Sequence, residues 1–138
     1  MPDTQTIPAS LRQQIAASTL FTGLPNRAID ALMQKGRVLT FRLGERLIEE
    51  DQETKYLFFI LYGEASARMN DTPVGDIQTG EFAGEISSAG ISPPVASVVA
   101  TSDIEAAAFP VSLIHSLAEA HPDFSDRLLE AGFHRISD

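Results

Sequence analysis

An α+β domain, an antiparallel β-roll with helices at both ends, is the fold this 138-residue sequence predicts. Three observations predict it. Apolar residues recur at helical spacing near both termini. Between them lie many short apolar or alternating stretches separated by glycine, the pattern of a sandwich or barrel. One segment, from Phe82 to Pro94, breaks this run with Gly84, Gly90, Pro93 and Pro94 around a short helical stretch, Glu85 to Ala89.

Each element follows from its residues. Met1 to Pro8 has little to bury and reads as a loose tail. Ser10 is placed to cap a short helix running to Ser18, with Leu11 and Ile15 on one face. Leu20, Phe21 and Leu24 form an apolar knot before Pro25. Asn26 then caps a second helix carrying Ile29, Leu32 and Met33, which Gly36 ends through a left-handed cap.

At Val38 the period changes from helical to alternating. Val38, Thr40 and Arg42 alternate with Leu39, Phe41 and Leu43, as in a strand. Gly44 turns the chain, and Leu47 and Ile48 open another strand. Asp51 to Lys55 is a polar loop. Tyr56 to Tyr62 is an unbroken apolar and aromatic run of strand length. Beyond Gly63, Glu64 to Met69 continues as a strand with small residues at alternate positions. Asn70 to Pro73 is a turn, and Val74 to Ile77 a strand closed by Gly80. After the interrupting segment come strands at Val95–Thr101 and Ile104–Phe109. Helices follow from Val111 to Ala120 and from Asp123 to about Phe133, parted by His121-Pro122. The chain divides into a tail and helix over 1–19 and one domain over 20–138.

Composition excludes several function classes. The net charge is −9, with 10 Lys and Arg against 19 Asp and Glu. Nucleic-acid and anionic-membrane surfaces call for clustered cations, so neither is expected as a partner. No apolar run nears the roughly 20 residues of a membrane span. The polar N-terminus, Met1 to Ser10, is not a signal peptide, so a cytoplasmic location is expected. There is no cysteine, hence no disulfide and no thiolate metal site. His115, His121 and His134 all lie in the C-terminal helical segment at no zinc spacing, so they read as ordinary helix residues. The strands hold no paired histidines for a barrel metalloenzyme. Ser87 and Ser88 have no base placed beside them by the sequence. No catalytic residue, metal or cofactor is expected.

Several stretches, taken in order, resemble the cyclic-nucleotide-binding domain family, which includes the catabolite activator protein and the regulatory subunits of protein kinase A. Leu20-Phe21-Thr22-Gly23-Leu24-Pro25 is similar to the family's lead-in motif. Gly44, and Phe58, Ile60 and Gly63 within Ile48–Gly63, fall at the family's spacing. Gly80-Glu81-Phe82-Ala83-Gly84-Glu85-Ile86-Ser87 is similar to the opening of its phosphate-binding cassette. The resemblance covers about Leu20 to Phe133 and implies a jelly-roll-like β-roll.

The cassette also has a physical logic of its own. A glycine-opened short helix offers free backbone N–H groups and a dipole that favours an anion. The resemblance implies Gly84 for close approach, Glu85 for a ribose hydroxyl, and Ile86 and Ser87 for N–H groups. It places Val95 and Ala96 beside the phosphate, and Ala67 and Val74 facing the base. The implied ligand is cAMP or cGMP.

One departure weakens that implication. The family closes its cassette with Pro-Arg-Ala-Ala or Pro-Arg-Ser-Ala, where this chain has Pro93-Pro94-Val95-Ala96. Pro94 offers neither charge nor donor to a phosphate. Arg68 does not replace it, because alternation from pocket-facing Ala67 turns Arg68 outward. Lys55 and Arg46 lie in or near loops.

Glu85 also reads as an ordinary acid at a helix start. Phe124, Leu128, Leu129 and Phe133 read either as core or as the family's hinge helix, which often forms dimers. With the chain ending at Asp138, no helix-turn-helix domain is expected. Two functions remain open: a sensory module binding cAMP or cGMP weakly, and a degenerate domain working through protein contacts or homodimerisation.

Overall fold

The computed structural model describes residues 5–49, 52, 54–84 and 96–137, with side chains as far as residue 131. The elements, in chain order, are strand β1 (Gln5–Thr6), a 3-10 turn (Ala9–Leu11), helix α1 (Arg12–Ala16) and helix α2 (Asn26–Lys35). Then come β2 (Arg37–Phe41), β3 (Arg46–Ile48), β4 (Tyr56–Tyr62), β5 (Ala65–Met69), β6 (Thr72–Ile77) and β7 (Phe82–Ala83). After the cassette follow β8 (Ser97–Ala100), β9 (Ile104–Pro110), α3 (Val111–Ala120) and α4 (Pro122–Ser137).

The strands form two antiparallel sheets, ordered β1-β2-β9-β4-β7 and β3-β8-β5-β6. The predicted α+β roll with flanking helices is therefore what the chain forms. Strand alternation divides the interior. In β4, Leu57 and Phe59 face the helices and pack with Phe21, Leu32, Ile114 and Phe124. Phe58 and Ile60 face the second sheet and pack with Ala65, Ile77, Val98 and Ala100. β9 does the same, sending Ala107 and Phe109 one way and Ile104, Ala106 and Ala108 the other. The first sheet is thus covered on both faces, so β4 and the Ala-rich β9 read as continuous apolar runs.

Four details depart from expectation. The N-terminal segment is docked: Gln5–Thr6 pair with β2 and Ile7 is 6% exposed. Its one large apolar side chain supplies the burial that the polar composition hid. The helix expected from Ser10 begins as a 3-10 turn and turns α-helical only from Arg12 to Ala16. Asn26 is the first residue of α2 and its cap position is Pro25, whose fixed φ suits that place. The Asn70–Pro73 turn is tighter than expected. Only Asn70 and Asp71 turn, both at positive φ (51° and 67°), and β6 starts at Thr72. That is the two-residue hairpin geometry that matches strand twist.

Gly36 does end α2, but in an extended conformation (φ −71°, ψ 159°). Space explains the glycine instead. A Cβ there would lie 2.6 Å from Ile7 Cδ1, 2.7 Å from the Leu32 carbonyl and 2.9 Å from Phe109. The Leu32 carbonyl cannot yield, because it accepts the Gly36 N–H at 2.9 Å. Gly36→Ala is expected to destabilise the fold by about 1–3 kcal/mol through overpacking. Urea unfolding of both proteins checks this, and an unchanged midpoint counts against the steric account.

Candidate functional site

The second sheet and the start of β4 open into a cleft of about 220 Å³. Its floor is apolar: Ile48 (5% exposed) and Phe58 (3%) both belong to the core between the sheets. Aromatic rings stack behind this floor and beside it. Tyr56 and Phe58 stand 5.9 Å apart between centroids, and Phe41 meets Phe58 edge-on at 5.8 Å. Leu47, Glu49, Gln52, Thr54 and Lys55 complete the lining.

β7 brings Gly84 to this cleft. Pairing of Phe58 with Ala83 and of Phe59 with Phe82 fixes the chain just before Gly84. Gly84 has φ +102°, a conformation that L side chains rarely adopt. A Cβ there would approach the Tyr56 carbonyl at 2.9 Å and Ile48 Cδ1 and Leu57 Cα at 3.6 Å. Both special backbone geometry and close approach thus require glycine at this corner. Tyr56 and Ile48 border Gly84 and line the cleft, so Gly84 stands at the cleft's edge.

Of the other residues singled out by the sequence, Ala67 is half-buried in β5, in register with Gly75 and Val98. Its alternation partner Ala65 lies in the core, so Ala67 faces inward as expected. Val74 is 49% exposed and sits at a β-bulge: Ala67 pairs with Gly75 and Arg68 with Pro73, leaving Val74 unpaired. Such a bulge re-aims the side chain that simple alternation would place. Ala96 is half-buried just before β8. Glu85, Ile86, Ser87, Pro94 and Val95 lie outside the described residues, as does the short helix expected there.

The cations also have their places. Arg68 lies on the face of the second sheet opposite Ala67 and Val98, in register with Ser97, as alternation predicts. Its Nε is buried without a hydrogen-bond partner among the described residues. Arg46 donates to Ser97 Oγ at 2.9 Å and reaches Glu49 Oε2 at 3.3 Å. Among the described residues only Lys55 carries positive charge in the cleft lining. Sequence reasoning passed over Thr54. It is 9% exposed, and its Oγ1 is buried with no hydrogen-bond partner among the described residues. A threonine in a polar loop gives no signal of burial, so only the fold could reveal it.

The C-terminal helix packs as the core reading of its apolar residues has it. Phe124 and Leu128 are buried among Phe21, Phe109 and Leu117. Arg127 Nε donates to the Leu20 carbonyl at 3.0 Å, tying α4 to the lead-in motif.

The chain is an antiparallel roll with flanking helices whose glycine corner, Gly84, stands at the edge of a cleft. The chain belongs to the cyclic nucleotide-binding domain family, whose profile matches residues 38–121. Domains of this family bind cyclic nucleotides. No curated protein matches the chain.

Solved structures share its fold. The regulatory domain of Toxoplasma gondii protein kinase A, crystallised with cAMP, superposes with a TM-score of 0.80 at 15% identity. That match covers 91% of this chain and 49% of the other. The sensor domain of the transcriptional regulator DNR from Pseudomonas aeruginosa gives 0.78 at 13% identity, covering 90% and 91%. A cAMP-binding-type regulatory protein from Silicibacter pomeroyi gives 0.74 at 21%, covering 94% and 62%. Among the described residues no helix is long and apolar enough to cross a membrane.

Proposed function

We propose that this domain is a sensory module that binds cAMP or cGMP weakly at the cleft and acts by binding, not by catalysis. One observation carries the reading. Gly84, held at positive φ against Tyr56, Leu57 and Ile48, starts the cassette at the rim of a cleft inside the family-matched span. In this reading Gly84, Glu85, Ile86 and Ser87 hold the ribose and phosphate, Val95 and Ala96 border the phosphate, and Ala67 faces the base. Pro94 contributes no charge, so affinity is low. A domain that keeps the fold and works through a protein partner or a homodimer is the alternative. Half-exposed Val74, expected at the base, favours it.

Calorimetry with cAMP, cGMP, AMP and GMP tests the proposal. Saturable heat from a cyclic nucleotide, with Kd below about 1 mM, supports it. Silence at millimolar concentrations of both cyclic nucleotides ends the sensory reading.

A further inference from the structure

Among the described residues, the charged groups that line the cleft are Glu49 and Lys55. Glu49 already has a counter-charge. Arg46 reaches its Oε2 at 3.3 Å, and the same guanidinium donates to Ser97 Oγ at 2.9 Å. The Lys55 side chain makes neither an ion pair nor a hydrogen bond among the described residues. The described lining thus presents one ammonium without a partner, and such a cation favours an anionic ligand over a neutral one. The sequence leaves that role open, since Pro94 stands where the family cassette has arginine.

Position brings this charge to the glycine corner. The Lys55 carbonyl accepts the Val111 N–H at 2.9 Å, which ties its backbone to the start of α3. The next residue, Tyr56, carries the carbonyl that a Cβ on Gly84 would approach at 2.9 Å. Lys55 is therefore one residue from the backbone against which Gly84 lies, and its flexible four-carbon stem lets the ammonium reach along that edge. Thr54, on its other side, lines the same cleft. It is 9% exposed, and its Oγ1 has no hydrogen-bond partner among the described residues. A buried hydroxyl without a partner costs the empty protein stability. A change of χ1 rotamer re-aims a threonine hydroxyl, and a phosphate oxygen is an acceptor for it.

We infer that Lys55 supplies the cation that Pro94 does not: its ammonium pairs with the ligand's phosphate, Thr54 Oγ1 donates a hydrogen bond to the same group, and the cleft thereby selects a nucleotide over the uncharged nucleoside. The inference rests on the reading of this cleft as the cyclic-nucleotide site and names the residues that give that site its preference for charge.

The test titrates the whole chain and the variants Lys55→Gln, Lys55→Arg, Thr54→Val and Thr54→Ser with cAMP, cGMP and adenosine, at low and at high salt. In the parent, a cyclic nucleotide is expected to bind more tightly than adenosine. Added salt should erode the cyclic nucleotide's affinity alone, because it screens a solvent-reached ion pair. Lys55→Gln should weaken the cyclic nucleotide about 5-fold, the strong end for such a pair, and flatten its salt dependence while adenosine is unchanged. Lys55→Arg keeps the charge and should keep both affinity and salt response. Thr54→Val should weaken the cyclic nucleotide about 10-fold, and Thr54→Ser should keep its affinity. Thermal unfolding without ligand shows that each variant is folded. Lys55 is exposed, so its variants carry the test should Thr54→Val fail to fold. Unchanged affinity in a folded Thr54→Val overturns the part given to Thr54. Affinity within about two-fold of the parent in Lys55→Gln, or an equal loss for adenosine, overturns the inference and leaves the cyclic-nucleotide reading standing. Silence of the parent with both cyclic nucleotides ends that reading, and the inference with it.

Discussion

Replacing Pro94 with arginine is expected to tighten cAMP or cGMP binding about 10- to 150-fold. An arginine fork pairs with two phosphate oxygens at once. A hydrogen bond to a charged group is worth about 1.5–3 kcal/mol, which converts to that factor in Kd. The gain should shrink at high salt, since part of it is Coulombic. It should also be confined to ligands with a phosphate, leaving adenosine unaffected. Parallel titrations of parent and Pro94→Arg with cAMP and adenosine check both halves. Equal gains for the two ligands mean that the substitution acts through the backbone and not through a phosphate contact. Loss of the proline's constraint on the unfolded chain sets the only expected stability change, which chemical unfolding measures separately.

The largest effect on stability is expected from Phe21→Ala. Phe21 is fully buried, and its ring meets three others. Phe82 and Phe109 lie edge-on at 5.4 and 5.2 Å, and Phe124 is tilted at 5.8 Å. These three rings come from β7, β9 and α4. Phe21 is therefore the point where the lead-in segment, the edge strand β7, the central strand β9 and the C-terminal helix converge. Truncation should cost about 3–5 kcal/mol, with partial relaxation of the cavity deciding where in that range it falls. Each lost aromatic pair accounts for roughly 0.5–1.5 kcal/mol of packing preference. Urea unfolding gives the number. A loss under 1 kcal/mol means that neighbouring rings collapse into the space and that this aromatic cluster does not tie the elements together.

Most of the architecture was legible because periodicity and glycine carry it. Tyr56–Tyr62 and Ile104–Phe109 read as strands from apolar runs alone, and both became central to the first sheet. Gly84 was legible as a special backbone position, and its φ is positive. What failed depended on contacts far apart in sequence. Ile7 lies in a polar tail, and only the groove beside Gly36 and Phe109 gives it a place. Gly36 looked like a left-handed cap because local reasoning cannot see Ile7. Val74, which the family resemblance places at the base, lies at a one-residue bulge that leaves no mark in composition. Thr54 carries the same lesson at the cleft. A hydroxyl's partner, or its lack of one, belongs to the tertiary structure.

The strand order has a kinetic consequence. β9, residues 104–110, lies between β2 and β4 in the first sheet, and β8, residues 97–100, lies between β3 and β5 in the second. Both central strands are synthesised after the cassette and after every strand they join. A nascent chain that has emerged only as far as the cassette can form the β5–β6 hairpin and the β4–β7 pair, but neither sheet can close. Closing them requires pairing Thr40 with Glu105 and Arg46 with Val99, across loops of tens of residues. Such non-local closure is slow, because chain entropy is lost before the contacts reward it. A ribosome-bound chain short of residue 97 already carries the glycine corner and the residues that line the cleft, but it lacks the central strand of each sheet that holds them in register.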